Sequence, residues 1–182
     1  MLLKNSFLIS FLIGLLACVS CIDDTDFDQA NDIEIRPEIE LDLIFFTLDA
    51  SRFYDSGTNT ENLVVKDTTN LEFLDGSDIK DILKRADFLF EFTNSISREF
   101  DVSFDFLSEQ NDSKFFTETS VLEGTIETPV LTTFIEEVDE EEVVALTQAN
   151  KVVVTVTIPS SSQDLVGTLN LQSKTTYYLE ID

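Results

Sequence analysis

The chain has 182 residues, with 36 Asp and Glu against 11 Lys and Arg, a formal charge of −25, two cysteines and no histidine. So acidic a surface repels phosphates and anionic lipid, which argues against nucleic acid as a partner. The lack of histidine removes Ser-His and Cys-His nucleophile pairs and histidine-bearing zinc sites, while 43% hydrophobic content with 16 Phe is a core-forming composition rather than a disordered one.

Taken in chain order, Lys4 gives a minimal positive start and Phe7 to Ala17 (FLISFLIGLLA) forms an apolar run. That run falls short of the ~20 residues needed to cross a bilayer. No later run matches it, so no transmembrane helix is expected. Residues 1–21 read as a signal peptide, 22–32 as an acidic flexible tether, and 33–182 as one domain. The tether takes its character from Asp23, Asp24, Asp26 and Asp28, which repel one another and favour extension. Removing the leader takes Lys4 with it and leaves 10 basic against 36 acidic residues. A domain of about 150 residues buries roughly 70% of its unfolded surface and needs no disulfide.

Both cysteines fall at the end of the leader, Cys18 in Leu15-Leu16-Ala17-Cys18 and Cys21 in Cys18-Val19-Ser20-Cys21. The first segment resembles the lipobox of bacterial lipoproteins, in which a Leu and two small or apolar residues precede the modified Cys. Cys21 is the alternative, because it stands directly against the polar switch at Asp23. The resemblance implies a diacylglycerol on the thiol, cleavage before the cysteine and acylation, palmitate included, of the new amine. Several acyl chains make a durable anchor where one does not, each buried CH₂ contributing ~0.8 kcal/mol. The residue after the cysteine is Val19 or Ile22 rather than Asp, and the following acidic run is similar to a surface-export tag. The resemblance therefore implies the outer membrane, with the periplasmic or outward side open.

Asp24, Asp26 and Asp28 also fill the first three ligand places of a D-x-[DN]-x-[DN]-G-x5-E calcium loop. Gln29 replaces the turn glycine and Ile35 replaces the closing carboxylate, so the loop lacks its sharp turn and its strongest ligand. These three carboxylates are the only weak metal candidate, and no cofactor is expected.

Period-two alternation from Ile33 to Leu43 predicts a half-buried strand, with Pro37 marking an edge. It dissolves into Leu43-Ile44-Phe45-Phe46, which reads as burial on both faces. Ser51 to Glu61 reads as loop. Leu63 to Leu74 reads as two short strands around Asp67-Thr68-Thr69-Asn70. Ile79, Ile82 and Leu83 recur at helical spacing in Ser77 to Arg85, which predicts a short helix. Phe88, Phe90 and Phe92 alternate, as do Phe100, Val102, Phe104 and Phe106, with a turn at Asn94 to Ser97. That pattern predicts a hairpin with one aromatic face, and the phenylalanines are core rather than a ligand cleft. The middle of the chain, about Asp87 to Pro159, resembles the small sandwich of the water-stress and hypersensitive-response domain, with Asn94 kept and the usual following Pro replaced by Ser95.

Lys114 to Val121 and Thr128 to Glu137 read as strands. Asp139 to Gln148 reads as a helix whose early acids suit the positive end of the macrodipole, with Asn150 as C-cap. Lys151 to Ile158, rich in β-branched residues, reads as a central strand. Leu165 to Gln172 and Thr175 to Ile181 read as a closing hairpin around Ser173-Lys174.

These elements predict an all-β antiparallel sandwich, immunoglobulin-like or an open barrel, with one or two short peripheral helices. The functional expectation is a lipid-anchored, non-catalytic binding or structural module of the cell envelope, its partner an envelope protein or polymer. The alternative is an accessory glycan or nutrient binder of an uptake system, with Tyr54, Tyr177 and Tyr178 as stacking residues. A carboxylate-only hydrolase is the third possibility, since glycoside hydrolysis needs only two acids.

Overall fold

The structure is a computed structural model that describes residues 35–71, 73–74 and 79–181. The β unit runs from Ile35 to Ile181. It is an antiparallel sandwich of two four-stranded sheets. The first sheet contains β1 (Glu38–Asp49), β5 (Leu83–Asn94), β8 (Val130–Val138) and β10 (Thr168–Leu179), in the order β1-β10-β5-β8. The second contains β4 (Val64–Asn70), β6 (Phe100–Leu107), β7 (Ser113–Val121) and β9 (Lys151–Thr157), in the order β4-β9-β6-β7. A two-residue ribbon of β2 (Tyr54–Asp55) and β3 (Thr60–Glu61) follows a 3₁₀ turn at Ala50–Phe53. Two short helices, α1 (Ile79–Ile82) and α2 (Glu140–Leu146), complete the described elements.

The core lies between the sheets. Phe88, Phe90 and Phe92 from β5 and Phe100, Phe104 and Phe106 from β6 are all fully buried. Phe90 stacks on Phe104 with centroids 3.9 Å apart, and Phe88 meets Phe106 at 4.9 Å. β5 and β6 are consecutive in sequence yet belong to opposite sheets, so the expected hairpin is a crossing. The two phenylalanine rows face each other across the sandwich instead of standing side by side. Alternation reports which side chains turn inward, and it is blind to whether the next strand lies beside or opposite.

A fully buried Asn94 holds the crossing. Its Oδ1 accepts the Ile96 N–H at 2.8 Å, and its Nδ2 donates to the carbonyls of Arg98 (2.8 Å) and Leu122 (2.9 Å). The backbone around it is packed so tightly that a Cβ on Gly124 would lie 2.0 Å from the Asn94 carbonyl oxygen. Gly167 has φ +108°, a conformation that suits glycine, and a Cβ there would lie 2.4 Å from the Ser95 carbonyl oxygen.

Four other elements differ from the sequence expectation. In β1 the alternation breaks because of a β-bulge between Asp42 and Phe45, not because both faces are buried. Phe45 is 55% exposed. The extra residue shifts the inward set from odd to even positions, as bulges do, and Ser173 fills the gap. The Ile44 N–H donates to Ser173 Oγ, and that hydroxyl donates to the Ile44 carbonyl, both at 2.9 Å. Leu63 to Leu74 yields one strand, β4, running through Asp67-Thr68-Thr69-Asn70. Of the helix expected from Ser77 to Arg85, Ser77 and Asp78 lie outside the described residues, Ile79–Ile82 are helical, and Leu83 to Arg85 open β5. The closing hairpin is a single strand, since Ser173-Lys174 sits in the middle of β10 with no turn.

α2 starts as expected. Asp139 caps it by accepting the N–H groups of Glu141 (2.9 Å) and Glu142 (3.1 Å), and Glu140, Glu141 and Glu142 occupy the first turn. Its C-cap is Thr147 rather than Asn150. The Asn150 backbone instead joins the sheet ends, donating to the Leu107 carbonyl and accepting from Leu71 N–H.

Candidate functional site

Once the phenylalanines of β5 and β6 are committed to the core, the outer sheet faces and the ends remain for function. The second sheet carries a trough of about 520 Å³ lined by Asp101, Ser103, Glu118, Ser120 and Thr157. Period-two alternation places these residues outward because Val102 and Phe104 on β6 and Val156 on β9 turn inward. Register then brings them together: Asp101 pairs with Ser120 on β7 and Thr157 on β9, and Ser103 pairs with Glu118. The Ser120 hydroxyl donates to Asp101 Oδ1 at 3.0 Å. Two carboxylates and three hydroxyls on an open sheet face offer acceptors to water or a polyol. Asp101 and Glu118 are both exposed to solvent.

The first sheet carries a fixed polar cluster near the point where the chain enters the β unit. Arg85 makes a bidentate pair with Asp87, Nε to Oδ1 at 2.8 Å and Nη2 to Oδ2 at 2.7 Å. Tyr178 donates its hydroxyl to the same carboxylate at 3.0 Å, and the guanidinium lies 5.0 Å over its ring. The hydrogen bond to Asp87 is the largest cause that raises both Arg85 and Tyr178 above their ordinary pKa values. Every member is satisfied by another, so the cluster is a brace across β5 and β10.

The three tyrosines do not converge. Tyr54 lies beyond the far end of β1, where its hydroxyl donates to Asn59 Oδ1 at 2.7 Å. Tyr178 pairs with Glu38 at the start of β1. Tyr177 turns into the interior, where it stacks on Phe73 with centroids 4.5 Å apart, and burial pushes its hydroxyl up to about 12. Near Tyr54, Asp55 accepts the Gly57 and Thr58 N–H groups. These amides and, foremost, the Thr58 hydroxyl hold its carboxyl below the usual carboxylate range.

Cys18, Cys21 and the calcium candidates Asp24, Asp26 and Asp28 lie outside the described residues. Among the described residues no three His, Cys, Asp or Glu side chains are grouped to hold a metal ion, and no helix is long and apolar enough to cross a membrane. The trough residues Asp101, Ser103, Glu118 and Ser120 were legible in the sequence only as outward positions. Their grouping depends on β6–β7 register, which a single sequence does not state.

No family model matches the chain, and no curated protein matches it. Among solved structures, it is similar to the VP2 subviral particle of infectious bursal disease virus, at 9% identity and a TM-score of 0.47 over 79% of this chain and 32% of that one. It is also similar to a candidate secreted protein from Parabacteroides distasonis, at 15% identity and a TM-score of 0.48 over 63% of this chain and 37% of that one. The chain thus spans about a third of the length of either structure. Likeness at this level concerns the course of the chain and nothing that either protein binds.

Proposed function

We propose that the chain is a lipid-anchored, non-catalytic binding or structural module of a bacterial outer membrane. The observation that carries this reading is Leu15-Leu16-Ala17-Cys18 at the junction of an apolar leader and an acidic stretch, followed by a β unit that begins at Ile35. The β unit supports it by spending the phenylalanines of β5 and β6 on the core, with a grouping of acids and hydroxyls left on an open face. Cys18 carries the lipid, and Cys21 is the alternative.

Replacing Cys18 and Cys21 together with Ser releases the protein from membranes on fractionation, and the single variants identify the acylated residue. Retention of the double variant in the membrane fraction overturns the anchor. Mass spectrometry of the native amino terminus gives an independent reading, because acyl chains on a cysteine-led terminus are expected and a bare one is not.

The second reading, an accessory glycan binder, is favoured by one observation, the trough at Asp101, Ser103, Glu118, Ser120 and Thr157. A glycan array probed with the full chain separates the two readings. Hits that Glu118→Gln abolishes favour the binder, and an array without hits leaves the structural role.

A further inference from the structure

A sandwich of two open sheets has four edge strands, and each edge must be kept from pairing with other chains. Three of them carry recognisable defences. β1 follows Pro37, contains the bulge, and bears Glu38, Glu40 and Asp42. β4 places Lys66 and Asp67 at its middle. β7 begins at an irregular register against β6 and carries Lys114 and Glu118.

β8 has fewer. It is nine residues long, its pairing with β5 runs without a register shift from Val130 to Val138, and no strand pairs with its other edge among the described residues. Its contacts with the neighbouring edge of the second sheet run through side chains: Thr117 donates to Glu136 Oε2 at 2.6 Å, and the Leu122 N–H reaches Thr132 Oγ1 at 3.3 Å. Its outward face carries Leu131, 61% exposed, and Ile135, 58% exposed, with Thr133 between them. Ile135 stands beside Leu89 on β5, so the apolar strip extends inward from the edge.

We propose that β8 pairs antiparallel with β8 of a second copy of this chain, about a two-fold axis at Thr133, to form a continuous eight-stranded sheet. The strand is self-complementary in that register. Leu131 faces Ile135 of the second copy, and Ile135 faces the second Leu131. Thr133 meets its own copy, a favourable cross-strand pair. Glu136 falls opposite Val130 and Glu137 opposite Pro129, so no acid of the strand meets an acid. A symmetric pair uses one patch on both subunits, which is the commonest form of soluble oligomer. A copy of the strand itself supplies both apolar residues at the required spacing, which is why a second chain is the occupant. The pairing does not depend on the lipid anchor.

The charge of −25 per chain opposes the association at long range, so the dimer strengthens as salt shortens the Debye length from ~10 Å at 0.1 M to ~3 Å at 1 M. The test uses the purified full chain. Light scattering after gel filtration is expected to give a dimer whose fraction rises with salt, and Ile135→Glu is expected to return the mass to monomer with the unfolding temperature unchanged. Under mild oxidation Thr133→Cys is expected to form a disulfide dimer. That variant and its controls, the background alone and Thr68→Cys on the other sheet, all carry Cys18→Ser and Cys21→Ser, and neither control should cross-link. A chain that stays monomeric at high salt overturns the proposal. So does a dimer that survives Ile135→Glu while Thr133→Cys fails to cross-link, because that dimer uses another surface. A monomer that instead binds an extended foreign peptide along β8 overturns it as well.

Discussion

Asn94 is the residue on which the sandwich turns. It ends β5, and its side chain bonds three backbone groups at the crossing, the buried Ile96 N–H and the part-buried carbonyls of Arg98 and Leu122. Replacing it with Ala removes the donors and acceptor together and leaves the Ile96 N–H without a partner, at a cost of about 3 kcal/mol. The urea midpoint is expected to fall accordingly, with an unchanged slope. Tyr177 makes a second prediction. Its hydroxyl titrates near 12 when folded and near 10 when unfolded, so the folded state holds the proton longer. The unfolded chain ionises first, and the stability that Tyr177 contributes is complete below pH 10 and lost as pH rises through about 12. The loss is on the order of 2 kcal/mol. A stability profile taken by denaturant across that range should decline, and Tyr177→Phe should flatten the decline.

The bulge in β1 shows how an element can be legible in part. The sequence from Ile39 to Leu48 announces a strand, and it announces a fault at Leu43-Ile44-Phe45-Phe46. What it does not contain is the partner residue, 129 positions away, that resolves the fault. Ser173→Ala is expected to strand both Ile44 backbone groups and cost on the order of 2 kcal/mol, read as a lower thermal midpoint. A larger protection loss by hydrogen exchange at Ile44 than at Glu38 would place the damage at the bulge. The same limit explains the other differences. Ser173-Lys174 and Asp67-Thr68-Thr69-Asn70 have turn-like composition, but inward-facing neighbours such as Thr175, Tyr177 and Val65 keep them extended. Tertiary packing overrides local preference there. The α2 cap, by contrast, was readable, because Asp139 and the acids after it act within four residues.

For the molecule as a whole, composition fixed the class and topology stayed hidden. Alternating phenylalanines identify two inward rows, yet only the structure places those rows on opposite walls of one core. The acids behave as composition suggests, since Glu38, Glu40, Asp101 and Glu118 all stand on outer positions. The candidate trough and the open β8 edge both arise from register, which links residues far apart in sequence.

Strand order has a further consequence. β10, the last strand of the β unit, sits between β1, its first, and β5. Until Leu179 leaves the ribosome, β1 has no neighbour at all and β5 has only β8. The amino-terminal half of the unit therefore cannot mature before β10 is made, and assembly of the first sheet waits for that strand. Contacts spanning nearly the whole β unit must close in one late step, which is the slow regime for a β protein. In the meantime the nascent polymer is kept expanded by its own negative charge.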